Sequence, residues 1–364
     1  MAEPKRYHIG INGPALCRAR EKPCRYAELP HGEETEMILY WEKEQEEQNS
    51  DFLTGVSQNA EANNEHKQEV IQKLSSTKHY ESANFMHSYT EEEVKVAMKV
   101  ATEHLSTVGY TEVETEDSEW QTDGFSSVKR LKLKDGTRAY FKSISSNSRA
   151  SESSFQYLGV SSLSAAVNEV NAYRLAESMG EEYRHLVPET SFTVYSGEIG
   201  SIQREVVETE GEVSPKLEDK SLRDDYRKAA IYDFISGNID RHTGNFIYGE
   251  IDTEKHIALI DNSFAFPDHY NRVDIRDSVF ADNRTVLNKA EEGYSEAYRI
   301  HDSDYDLDEK EVESLQRARE SIKSWIEDST IESYVGESAL MRVDALLEKG
   351  KLMSISEWYR KEVL

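Results

Sequence analysis

Cysteine is nearly absent from this 364-residue chain: Cys17 and Cys24 are the only two. One pair cannot staple a chain of this length, so a disulfide scaffold is excluded. Long apolar runs are missing too. None approaches the roughly 18 residues that would span a bilayer, so no transmembrane helix is expected. Met1–Gly13 has no apolar stretch of the secretory kind, which points to a cytoplasmic protein. Positive charge is scarce: 43 Lys and Arg against 70 Asp and Glu leave a net charge of −27. A surface this acidic repels phosphate backbones and anionic headgroups. It argues against nucleic acid, membrane surfaces and phosphoinositides as partners.

What remains divides into four zones. Residues 1–35 hold both cysteines with little periodic pattern and are expected to be a small irregular module. Residues 36–108 are rich in Glu, Gln, Asn and Ser and read as a polar helical linker region. Its best helix starts at Thr90, a candidate N-cap with Glu93 three residues on, followed by the apolar stripe Val94, Val96, Ala97, Val100, Ala101 and Leu105. Residues 109–206 read as strands plus one helix. Ser127–Leu133 and Arg138–Ile144 flank the turn Lys134-Asp135-Gly136-Thr137, and Ser164–Met179 is helical up to Gly180. Residues 207–364 read as mainly helical, broken by one strand pair around Asn245–Ile260.

The chemistry concentrates in Asp240-Arg-His-Thr-Gly-Asn245 and in Ile257-Ala-Leu-Ile-Asp261-Asn-Ser-Phe-Ala-Phe-Pro267. Phosphoryl transfer needs a carboxylate beside the attacking hydroxyl and oxygen ligands for magnesium. Asp240 and Asn245 have the spacing of a base and a metal-ligand amide, and Asp261 ends an apolar strand as a metal-ligand carboxylate should. The alternative is a buried Asp–Arg pair in a structural loop, with Asn245 as a turn residue.

These two segments resemble the catalytic and metal-binding loops of phosphatidylinositol 3/4-kinases, and the HipA-like toxin kinases share the same logic. The resemblance spans residues 109 to about 300. It implies an α+β, two-lobed, atypical kinase fold with an N-lobe at 109–206 and a helical C-lobe at 207–364. It also implies Asp240 as the catalytic carboxylate, Asn245 and Asp261 as Mg²⁺ ligands, and His242 as an aid to charge stabilisation or to the orientation of Asp240.

A kinase also needs a strand lysine for the α/β-phosphates and a helical carboxylate to position it. Lys142 in Ala139-Tyr-Phe-Lys142-Ser-Ile144 sits mid-strand, and Glu169 lies in the following helix, with Glu177 as competitor. An inward lysine is costly unless paired. The plainer alternatives are a solvent-facing Lys142 on an edge strand and a surface Glu169. Gly124-Phe-Ser126-Ser127 could cover the phosphates with N–H groups and hydroxyls. By the same resemblance, Gly200–Val206 is the region of the adenine-contacting strand.

Two further constellations stand apart. His8, Cys17, Cys24 and His31 could form a tetrahedral Zn²⁺ site, although no Cys-x-x-Cys knuckle is present. Their segment resembles a short element of actinobacterial and phage proteins. A packed cysteine pair or a labile disulfide are the alternatives. Asp302, Asp304, Asp306 and Glu313 start like a calcium loop, but Leu307 fills the position that needs glycine. The bland reading is an acidic start to a helix over Glu309–Trp325.

The sequence therefore points to an ATP- and Mg²⁺-dependent kinase acting on a hydroxyl, with protein Ser/Thr favoured over a small molecule and over lipid. Transfer of AMP or activation of a carboxylate on the same fold is one alternative. A pseudokinase scaffold or a phage structural component is another.

Overall fold

The computed structural model describes residues 6–10, 13–16, 26–28, 63–77, 89–117, 126–147, 160–206, 222–238, 240–241, 244–251, 254–267, 286–290, 293–298 and 306–352. They fall into two compact units, Met1–Glu65 and His66–Leu364. The first contains a three-stranded antiparallel sheet in which β1 (Arg6–Gly10) lies between β2 (Gly13–Leu16) and β3 (Tyr26–Glu28). An irregular module was expected here. The backbone instead pairs in regular register, with His8 opposite Ala15 and Tyr26.

Helix α1 covers residues 63–76, and in the second unit α2 covers Glu91–Glu103. The Thr90 hydroxyl accepts from the Glu93 N–H while the Glu93 carboxylate accepts from the Thr90 N–H, a complete capping box. The short α3 (Thr107–Tyr110) leads into β4 (Val113–Asp117), β5 (Ser126–Leu133) and β6 (Arg138–Asn147). With β7 (Thr190–Tyr195) and β8 (Glu198–Arg204) these form one antiparallel sheet, ordered β4-β5-β6-β8-β7. Gly136, at φ +85°, makes the tight turn between β5 and β6. Gly200 lets β8 close on β6: a Cβ there would stand 2.2 Å from the Lys142 carbonyl oxygen.

Helix α4 (Ser162–Met179) is capped by Ser161 and stopped by Gly180 at φ 104°. It is buried almost all round because it serves two cores. Leu163, Ala166, Val167 and Val170 pack with α2, with Val70 and Leu74 of α1, and with the sheet residues Ile144, Phe192 and Ile199. Ala172, Leu175, Ala176 and Met179 pack with the helices that follow. Part of the stretch expected as a linker, α1 and α2, thus contributes to the first of these cores. Each fully buried Leu, Val, Ile or Phe stabilises by roughly 1.5–3 kcal/mol before the entropy of ordering it.

After the short α5 (Glu181–Arg184) come α6 (Arg223–Ser236), the hairpin β9 (Phe246–Ile251) and β10 (Glu254–Leu259), and a second pair, β11 (Val286–Ala290) and β12 (Gly293–Tyr298). This second pair stands where only loops and helices were expected. Helices α7 (Glu309–Glu327) and α8 (Ser333–Lys349) close the described chain. Asp308 caps α7 reciprocally with Glu311, so the acidic stretch does act as a helix start. Asp302 and Asp304 lie outside the described residues. No described helix is long and apolar enough to cross a membrane.

Candidate active site

Strand alternation aims Lys142. Its neighbour Phe141 packs with Leu131, Leu133 and Ile202 on one face of the sheet, while Ile144, two residues on, packs against α4 on the other. Lys142 shares the α4 face. Its Nζ donates to Glu169 Oε1 at 2.7 Å and to Asp261 Oδ1 at 2.9 Å. Glu169 is the α4 carboxylate expected from the sequence, and Asp261 arrives from 119 positions away in the chain. The Glu169 side chain is 3% exposed and that of Lys142 is 24% exposed, whereas that of Asp261 is 45% exposed. Burial works against the ammonium charge, but Asp261 and Glu169 together hold the Lys142 pKa above its ordinary value. The ammonium in turn holds Asp261 below the usual carboxylate range, with help from the Ser263 hydroxyl and Arg241.

Asp261 lies two residues past the end of β10 and adopts the left-handed conformation, φ 53°. Asp tolerates that region better than most residues, yet a non-glycine residue there has a cost and persists only when its surroundings enforce it. Here Ser263 Oγ donates to Asp261 Oδ1 at 3.0 Å, and Asn168 of α4, next to Glu169, donates to the Ser263 carbonyl at 3.0 Å. Phe266, also left-handed at φ 52°, donates its N–H to the Ser236 carbonyl at the end of α6.

The Asp240–Asn245 segment follows α6, which ends at left-handed Gly237. Asn238 Oδ1 accepts from the Asp240 N–H at 2.9 Å. Asn245 Nδ2 donates to the Asp240 carbonyl at 2.7 Å and approaches its Oδ2 at 3.4 Å. Between them, Arg241 is fully buried. Its guanidinium donates to Asp233 of α6, to the carbonyls of Asn245 and Ile260 at 2.6 Å each, and to Asn262 Oδ1. The Ile260 N–H also donates to the Asn245 carbonyl at 3.0 Å. One side chain thus ties the loop bearing Asp240 and Asn245 to the strand end bearing Asp261.

The buried Asp–Arg pair weighed as an alternative does exist, but Arg241 pairs with Asp233, not Asp240. Sequence reasoning missed this hub. Its signal was Asp233, a lone carboxylate in the otherwise apolar Ala229–Ile235 stretch of α6. Ser126 and Ser127 begin β5, where Ser126 pairs with Asn147 and Val128 with Lys142. His242, Gly124, Cys17, Cys24 and His31 lie outside the described residues; of His8 only the backbone is described.

No protein-family model and no curated protein sequence matches the chain. Two solved structures similar to it are kinases. The proinflammatory kinase CtkA of Helicobacter pylori matches with TM-score 0.35 and 14% identity, covering 68% of this chain and 96% of that one. The Golgi casein kinase matches with TM-score 0.38 and 10% identity, covering 77% of this chain and 88% of that one.

Proposed function

We propose that this chain is an atypical kinase that transfers the γ-phosphoryl group of ATP to a hydroxyl, with Ser or Thr of a protein as acceptor. The observation that carries this reading is Lys142 held between a buried helical carboxylate, Glu169, and a half-open loop carboxylate, Asp261, beside the Asp240–Asn245 loop. In it, the β4–β8 sheet with α4 forms one lobe and the helices after β8 form the other.

Asp261 and Asn245 offer hard oxygen donors of the kind Mg²⁺ takes. The amide nitrogen of Asn245 is engaged by Asp240, so a cation would meet its oxygen. Asp240, Asp261 and Glu169 outnumber Lys142 in charge, and such an excess repels a nucleotide triphosphate unless a divalent cation comes with it. Held by Asp261 and Asn245, a divalent cation would supply charge neutralisation for the phosphates.

In this reading Lys142 keeps Glu169 and exchanges Asp261 for the α/β-phosphate oxygens. Asp240 accepts the proton of the acceptor hydroxyl as its oxygen bonds to the γ-phosphorus. The bond from that phosphorus to the β–γ bridging oxygen breaks, and ADP leaves with its electron pair. Arg241 holds the loop and the strand end at fixed separation throughout. Ser126, Ser127 and Gly124 precede Lys142's partner in β5 and are the segment for covering the phosphates. His242 is assigned to orienting Asp240. The net charge of −27 favours a protein acceptor over a phosphoinositide.

The test is the intact mass of the full chain, with ADP release, after incubation with Mg·ATP and a generic protein acceptor. Phosphate gained on chain or acceptor, with ADP formed, supports the proposal. AMP gained, with pyrophosphate released, replaces it with nucleotidyl transfer. Absence of both mass gain and ATP consumption overturns it in favour of a scaffold.

A further inference from the structure

A second group of titratable side chains converges at the far end of β10 from Asp261. His185 follows α5 directly, Asp225 sits in the first turn of α6, and His256 lies within β10. His185 Nε2 stands 3.3 Å from Asp225 Oδ1, and His256 Nδ1 stands 3.1 Å from Asp225 Oδ2. The three ligand atoms all lie within 4.8 Å of one another. The imidazole rings are tilted at 58° to one another with centroids 4.7 Å apart. None of these residues has a part in the phosphotransfer reading.

We propose that His185, Asp225 and His256 form a binding site for a divalent transition-metal ion, zinc being the best match. Two imidazoles and one carboxylate are ligands that zinc accepts, at metal–ligand distances of about 2.0–2.2 Å. Two ligand atoms on a tetrahedral ion of that size stand roughly 3.3–3.4 Å apart. Each imidazole stands near that separation from a different oxygen of Asp225, and loading would draw both rings onto one ion. Nitrogen ligands disfavour magnesium and calcium, which take oxygen.

The surroundings are those of a supported ligand set. The Ile257 N–H donates to Asp225 Oδ2 at 3.1 Å, fixing the carboxylate. Asp225 is buried, while the side chains of His185 and His256 are 14% and 25% exposed, which gives an ion a way in from solvent. The acidic surface raises the local concentration of cations.

Three protein ligands leave one position for water. The site's effect would be to clamp three segments that are distant in sequence. The residue after His185, Leu186, already accepts the Leu259 N–H at 2.6 Å, so the ion would stiffen the strand that ends in Asp261. The proposal stands without the kinase assignment.

The test uses the full chain carrying Cys17→Ser and Cys24→Ser, stripped of metal, so that zinc at the two cysteines cannot be mistaken for zinc here. Zinc titration with elemental analysis should give about one equivalent bound and a rise in melting temperature. Cobalt substitution should give the visible absorption of a four-coordinate site. Both signals should disappear in His256→Gln and persist in Asp261→Asn. No zinc uptake, or the same uptake and thermal shift in His256→Gln, would overturn the proposal and leave a hydrogen-bonded trio. Should His256→Gln fail to fold, His185→Gln is held to the same criterion.

Discussion

Arg241 and Lys142 are both cations drawn into the protein beside the same strand end, yet they are partnered in opposite ways. Arg241 is fully buried, and its partners are two backbone carbonyls, Asn262 and the buried carboxylate of Asp233. Backbone carbonyls cannot leave, so Arg241 is scaffold. Lys142 is held by two carboxylates, one buried and one 45% exposed on a left-handed residue. The open one can exchange its partner. A saturated cation fixes geometry, whereas a cation with an exchangeable partner can receive a ligand.

The largest effect should come from breaking the scaffold. Arg241→Ala leaves Asp233 buried without its counter-ion and takes a donor from three further acceptors. We expect about 3–5 kcal/mol of lost stability, read by denaturant unfolding, and loss of soluble folded protein at 37 °C. A folded variant within 1 kcal/mol of wild type would show that Arg241 is not the hub.

Lys142→Met should lower ATP turnover by about 10²–10³-fold. It should also destabilise, because Glu169 stays buried without a partner. Adding Glu169→Leu should restore stability without restoring turnover. Restored turnover in the double variant would place the Lys142–Glu169 pair in the scaffold with Arg241.

The pair should also leave a mark on pH dependence. The folded pKa of Asp261 is depressed, so its contribution is complete above its unfolded value of about 3.9 and is lost as pH falls through the lower folded value. The folded pKa of Lys142 is raised, so its contribution is complete below about 10.4 and is lost as pH rises through the higher folded value. The stability difference between wild type and Lys142→Met should therefore be flat from about pH 4 to 10 and shrink on the acid side. A difference that changes near neutrality would implicate another group.

The smallest effect concerns the ends of helices, away from both cations. Asp308→Ala removes the α7 cap and should cost about 1 kcal/mol in unfolding experiments, with turnover unchanged.

Local chemistry made much of this fold legible in the sequence. The Thr90 capping box, the Gly136 turn, the Gly180 stop and the strand pair before Asp261 all rest on contacts within a few residues. Lys142 with Glu169 was legible because a strand lysine before a helix demands a carboxylate. What escaped depends on distant contacts. The second partner of Lys142 lies 119 residues on, and the partner of Arg241 lies on the preceding helix, reached only because the chain turns sharply at Gly237. The trio His185, Asp225 and His256 is spread over three elements with no motif spacing. The strands β11 and β12 fall in a stretch that read as mainly helical.

The most direct measurement is Mg²⁺-dependent ATP turnover in Asp261→Ala, with folding checked by circular dichroism and melting temperature. A folded protein with turnover at background is expected, because in the proposed function this carboxylate holds the metal and releases Lys142. A folded Asp261→Ala chain that turns over ATP like wild type would contradict it.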